Sequence, residues 1–291
     1  MIRFSNIAII ARPNSKHLES HVLKVAYLLL ELGLTPFIDN QFELPDQLQN
    51  YSYTNIDEIL PKLDLIIVIG GDGTMLSIAR KLVYHDIPLI GINQGKLGFI
   101  TDVSIDDVIP VLNAMIIKHE FITEERNLIV ASIQRGGAEV YKNHALNDVV
   151  IYRGAMGNMI EFSMYINQEM VFSQKSDGLI FATPTGSTAY SLAAGGPILH
   201  PNSKVISIVP VCPQSMSIRP IVVNDDVNIQ VNILSGTEAV IHSDGQEHLA
   251  LNTGDIITIY KSESPVKLLH PQNYSYYKTL RNKLHWAKRL S

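Results

Sequence analysis

The unbroken apolar run Leu65-Ile-Ile-Val-Ile69 is followed at once by Gly70-Gly71, and then by a stretch with Met75, Ile78, Ala79 and Leu82 on one side. A five-residue apolar run bounded by glycine reads as a strand buried on both faces, and the three- and four-residue steps after it read as a helix. Strand, glycine turn and helix in direct succession form the repeating unit of a parallel sheet. The first third of the chain repeats that unit. Residues 6–11 form a second buried-strand run, ahead of Leu18, Val22, Val25, Leu29 and Leu32 and a glycine stop at Gly33; Leu89-Ile-Gly-Ile92 is another strand, and residues 108–115 form a helix despite Pro110. The reading is an α/β domain with helices on the faces of a parallel sheet.

After about Glu125 the texture changes to short β-branched runs separated by turn residues, at Gly136-Gly137, Asn167-Gln168, Asp244-Gly245 and Thr253-Gly254. Such spacing predicts an all-β domain. With 291 residues, 46% of them hydrophobic, the chain can fill two cores. The boundary is placed near residues 120–126, giving domains 1–125 and 126–270. A formal net charge of -5 offers no general attraction to a polyanion, so no nucleic-acid partner is expected. No apolar run approaches the ~20 residues that span a bilayer, and the amino terminus is too interrupted for a signal peptide; no membrane partner and a cytoplasmic location are expected. Cys212, alone in its type, ends an apolar run and reads as a buried small hydrophobe. The basic segment around Lys278, Arg281, Lys283, Lys288 and Arg289 reads as a solvated or packing terminus.

Two segments carry chemistry. In Gly70-Gly71-Asp72-Gly73-Thr74, glycines at a strand–helix junction allow positive φ and bring backbone N–H groups close to phosphate. The spacing is neither that of the lysine-bearing phosphate loop nor that of the dehydrogenase fingerprint. An aspartate is a poor neighbour for phosphate unless a metal neutralises the site or the carboxylate accepts a proton from a hydroxyl nucleophile; on these five residues alone, a plain turn and a site are equally open. The second segment, Ser176-Asp177-Gly178 through Thr188-Ala189-Tyr190-Ser191 to Gly195-Gly196-Pro197, is rich in small and hydroxyl residues. That composition makes a poor core but lets a flat ligand and its sugar reach the backbone, with Tyr190 able to stack on a base.

Together with Asn147-Asp148, the Gly91–Phe99 stretch and the ending His270-Pro-Gln-Asn-Tyr-Ser-Tyr276, these segments resemble the bacterial NAD kinase family over essentially the whole chain. The resemblance implies an amino-terminal phosphofructokinase-like, Rossmann-like three-layer domain, a carboxy-terminal β-rich sandwich, an active site between them, and a tail, 271–291, that returns to the first domain. It implies transfer of the terminal phosphoryl group of ATP to the adenosine 2′-hydroxyl of NAD, with magnesium as the divalent ion and a homotetramer or homodimer as the assembly. Carried over residue by residue, Asp72 is the general base, with Gly73 beside the nucleotide. Asn147 and Asp148 hold the dinucleotide, although relatives usually carry Asn-Glu there. Asp177 takes part in nucleotide binding, and Thr188, Ala189, Tyr190, Ser191, Leu192 and Ala193 line the dinucleotide site. Asn158 and Gln246 fall at further ligand-contacting positions, and Lys175 stands where relatives often carry Arg. No protein metal ligand is expected. Lipid kinases related to diacylglycerol kinase share a similar glycine-aspartate turn, but not the block from Asp177 to Pro197.

Overall fold

The computed structural model describes residues 4–12, 15–95, 97–155 and 157–286. Lys96 of the Gly91–Phe99 stretch, the first three residues, and Lys288, Arg289 and Leu290 of the basic terminus lie outside the described residues. The chain divides into two units, 1–125 together with 266–291, and 126–265.

In the first unit the apolar runs become the interior of a sheet. Among the described residues its strands run in the order Ser52–Tyr53, Thr35–Asp39, Asn6–Ala11, Leu65–Ile69, Leu89–Asn93, Val266–Pro271 and Phe121–Arg126, with Val103–Ser104 also paired to Leu89–Asn93. The four strands from Thr35–Asp39 to Leu89–Asn93 are mutually parallel. Every residue of Leu65–Ile69 is buried, as expected of a strand covered on both faces. Helix Glu19–Glu31 lays Val22, Val25 and Leu29 against Ile7, Ile9, Ile67 and Ile90. Each such side chain contributes about 1.5–3 kcal/mol by leaving water. Gly33, at φ +73°, stops that helix in the left-handed conformation glycine tolerates. Pro110 fits helix Val108–Leu112 because it sits in the first turn, where its missing N–H has no partner to lose.

The carboxy-terminal return begins earlier than residue 271. Strand Val266–Pro271 already belongs to the first unit's sheet, inserted between Leu89–Asn93 and Phe121–Arg126. Helix Tyr276–Leu284 follows, its start capped by the Ser275 hydroxyl, which accepts from the Lys278 N–H at 3.4 Å.

The second unit is a sandwich of two antiparallel sheets, each six-stranded among the described residues. One runs Ile221–Asn224, Val205–Val211, Gly178–Ala182, Asp148–Tyr152, Val240–Ser243, Glu247–Ala250; the other runs Glu169–Ser176, Ile160–Ile166, Ile229–Ser235, Ile256–Lys261, Ile129–Arg135, Ala138–Ala145. Val149, Ile151, Leu179, Phe181 and Ile208 of the first sheet meet Ile129, Phe162, Val231 and Ile257 of the second in one core. By strand alternation, Asp148, Val150 and Tyr152 face the other way. Val150 packs there with Ile180, Ala182 and Val209, under Tyr152, Ala194 and Val211. Among the described residues no helix is long and apolar enough to cross a membrane.

Candidate active site

Helix Asp72–Lys81 starts directly on the glycines, with Gly71 as the residue before its first turn. None of Gly70, Gly71 and Gly73 takes positive φ, contrary to the expectation from sequence. Space is what Gly70 alone requires. A Cβ on Gly70 would stand 2.8 Å from the Thr74 hydroxyl oxygen, whereas Gly71 and Gly73 have open surroundings and lie exposed. Arg12, Ser15, His17, Gly70, Gly71, Thr74 and Gln94 line a cleft of about 440 Å³, with basic side chains and a helix start on its wall. Phosphate suits such a wall.

Asp72 has a task that sequence did not reveal. Its Oδ2 accepts from the Phe99 N–H at 2.9 Å, and its Oδ1 accepts from the N–H of Ile100, the N–H of Thr101 and the Thr101 hydroxyl, each at 3.2 Å. The loop after Leu89–Asn93 therefore closes around this carboxylate. Gly98 makes the wrap possible, because a Cβ there would overlap both Asp72 Oδ1 and Thr101 Oγ1. With two oxygens and about four acceptor directions, the carboxylate keeps its spare capacity on Oδ2.

In the second unit three chain segments meet at one end of the first sheet. Asp148 opposes Ala182 on one neighbouring strand, and Val149 opposes Ser243 on the other, so Asn147, Thr183 and Asp244 emerge side by side. The Asp244 carboxylate accepts from the N–H groups of Leu146, Asn147 and Asp148 at 3.1, 2.8 and 3.2 Å. Thr183 donates its N–H to the Asn147 carbonyl at 2.9 Å and its hydroxyl to the Leu146 carbonyl at 2.5 Å. Gly186 packs so tightly on the Asn147 backbone that a Cβ would overlap its carbonyl. Asn147-Asp148 and the hydroxyl-rich block are thus one construction.

Asp148 is buried, 4% exposed. Burial, and then the nearby Asp244 charge, push its pKa up to about 7. Tyr190 stands on the short helix Tyr190–Ala193 and is 40% exposed. Its pKa is raised by desolvation and by Tyr152, Cys212, Asp148 and Asp177, which places all four within electrostatic reach of its hydroxyl. Asp177 forms an ion pair with Arg153, Oδ1 to Nε at 2.8 Å. Arg153 also donates to the Gly157 carbonyl at 2.7 Å, tying down the loop that carries Asn158. Acceptors, an exposed aromatic face and small residues in one place suit a sugar and a base.

The model of the ATP-NAD kinase N-terminal domain matches residues 7–121, and that of the ATP-NAD kinase C-terminal domain matches 146–271. The chain belongs to the ATP-NAD kinase family. It is 46% identical over 287 residues to an NAD kinase of Chromobacterium violaceum, covering 99% of this chain and 98% of that protein. An NAD kinase of Laribacter hongkongensis is 45% identical with the same coverage. Among solved structures, an NAD kinase from Archaeoglobus fulgidus in complex with ATP superposes with a TM-score of 0.72 at 27% identity, covering 96% of this chain and 97% of that one. The fold is shared with yeast NADH kinase complexed with NADH, at a TM-score of 0.89 and 23% identity, covering 99% and 90% of the two chains.

For a chain of this family, the residues singled out from sequence fall into groups. Asp148, Asp177 and Tyr190 come together, with Thr188, Ala189, Ser191, Leu192 and Ala193 on the same turn and helix, and Asn147 supports them through its backbone. Gln246 sits exposed in the turn beside Asp244. Asn158 is exposed in its loop, and Lys175 forms a cross-strand ion pair with Glu161 at 3.4 Å. Asp72 and Gly73 belong to the first unit. Cys212 is not a buried hydrophobe: it lies exposed just past strand Val205–Val211, at φ 46°. Sequence reading missed Asp244, Arg153, Arg12 and His17. For Asp244 a signal existed, since an Asp-Gly hairpin places the aspartate at positive φ, here 51°, and frees its carboxylate to cap neighbouring N–H groups.

Proposed function

We propose that this chain is an NAD kinase that transfers the terminal phosphoryl group of ATP to the 2′-hydroxyl of the adenosine ribose of NAD, giving NADP and ADP. The observation that carries this reading is the match of both family domains, in order, with 46% identity to a bacterial NAD kinase along the whole chain. The site geometry supports it. Asp72, with its carboxylate fixed by the 99–101 loop, takes the 2′-hydroxyl proton on Oδ2 as the ribose oxygen attacks the terminal phosphorus. The new O–P bond forms as the bond to ADP breaks, and the proton passes from Asp72 to solvent.

Positioning and charge neutralisation are the main demands of phosphoryl transfer. Arg12, His17 and the open Gly71 and Gly73 backbone receive donor phosphates, while Asn147, Asp148, Asp177 and the 188–193 segment hold NAD, with Tyr190 against a base. Asn158, Gln246 and Lys175 reach the dinucleotide from exposed positions; Lys175 gives up a surface ion pair of small value to do so. A divalent ion, magnesium in this proposal, would neutralise the donor phosphates and would be held chiefly through phosphate oxygens and water. A cytoplasmic homo-oligomer, a tetramer or dimer, completes the proposal on the strength of the family resemblance.

The test is incubation of the purified chain with NAD, ATP and magnesium, with NADP read by a coupled dehydrogenase. NADP formation dependent on all three is the expected result. Binding of NAD without any turnover would replace the kinase with a dinucleotide-binding protein.

A further inference from the structure

His270 lies on the returning strand Val266–Pro271, is 1% exposed, and faces carboxylates with both ring nitrogens. Nδ1 is 3.0 Å from Asp102 Oδ2, and Nε2 is 3.1 Å from Glu124 Oε2. Tyr274 stacks on the ring with centroids 4.0 Å apart and planes 11° from parallel. The Asp102 side chain is 7% exposed, and its other oxygen, Oδ1, is buried with no hydrogen-bond partner among the described residues. His270 is therefore the group that satisfies this carboxylate. A buried carboxylate stripped of its partner is strongly unfavourable and moves toward water if the chain allows.

Asp102 directly follows Thr101, whose N–H and hydroxyl both grip Asp72 Oδ1 at 3.2 Å. The Thr101 carbonyl in turn accepts from the Gly98 N–H at 2.9 Å and from the Asn93 side-chain amide at 3.2 Å, so this loop is bonded to itself and to the end of strand Leu89–Asn93. We propose that His270 is a positioning residue of the kinase: through Asp102 it anchors the loop that aims the Asp72 carboxylate. This inference rests on the NAD kinase reading. A second tie from the same tail points the same way, with Lys283 Nζ placed 5.8 Å from the centre of the Phe99 ring, beside the Phe99 N–H that holds Asp72 Oδ2. A misplacement of about 1 Å at a reacting group can cost on the order of a hundredfold in rate.

The test compares His270→Asn with His270→Gln. The asparagine amide nitrogen takes the place of Nδ1 and keeps the bond to Asp102; the glutamine amide reaches the place of Nε2 and loses it. H270Q is expected to lower kcat by about tenfold or more, with the KM values for NAD and ATP changed less than about threefold, while H270N restores most of kcat. Asp102→Ala severs the same tie without burying a charge, so it should reproduce the H270Q loss and carries the test if H270Q does not fold. Combined with D102A, H270Q should add no further loss. Equal kcat for H270N and H270Q, an unchanged kcat in D102A, or additive losses in the double variant would overturn the inference. Wild-type chain that makes no NADP would overturn the kinase reading instead, and this inference with it.

Discussion

Asp148 is the residue whose burial makes a quantitative demand. Its carboxyl, pushed up to about 7 by desolvation and then by Asp244, holds a proton in the folded protein over a range where the unfolded chain has released it. Between about pH 4 and pH 7 the native state binds more protons than the unfolded state, so stability falls as pH rises through that window and levels off above it. The distance from an ordinary aspartate to about 7 corresponds to about 4 kcal/mol. Asp148→Asn keeps the shape and removes the titration. The variant should match wild type near pH 4 and exceed it by up to about 4 kcal/mol at pH 8. Urea unfolding of both proteins from pH 4.5 to 8.5, followed by circular dichroism, measures this difference. The KM for NAD should also change between pH 6 and 8 in wild type, as the group turns from donor to acceptor, and stay flat in D148N. Parallel stability curves for the two proteins would refute the reasoning.

Asp72→Asn should lower kcat by roughly two or more powers of ten with NAD binding nearly unchanged; equal turnover in steady-state assays would remove Asp72 from the chemistry. Gly186→Ala should destabilise by about 1–3 kcal/mol and raise the KM for NAD, because the added methyl meets the Asn147 carbonyl; a denaturation midpoint and KM equal to wild type would show that the contact relaxes at no cost. Chelation of divalent ions should abolish NADP formation, and added magnesium should restore it. Sustained turnover in chelator would exclude the metal from the mechanism.

The sheet of the first unit was legible because Leu65–Ile69 and Asn6–Ala11 are continuous apolar runs followed by helical spacing, a signal that needs no long-range information. The all-β character of the second unit was legible from the rhythm of turns, while its sandwich form came only from the family resemblance. Asp72 stood out by its glycine setting, yet its cage could not be read, since the donors at residues 99–101 lie far along the chain and three of the four are backbone groups with no sequence signature. The same holds for Asp244 and its three N–H partners. Cys212 misled because an apolar neighbourhood in sequence does not reveal that the strand ends at Val211 and the chain then turns left-handed. His270 was seen as part of a motif, but a histidine between two carboxylates from distant segments is a tertiary fact.

Strand Val266–Pro271 occupies an interior slot of the first unit's sheet, between strands made from residues 89–93 and 121–126. During synthesis that slot stays vacant until residues 266–271 have been made, after the whole of the second unit, so a chain cut before them leaves the first unit with two raw strand edges. Unpaired edges of that kind invite pairing with other chains, so the late strand closes the sheet against association as well as completing it.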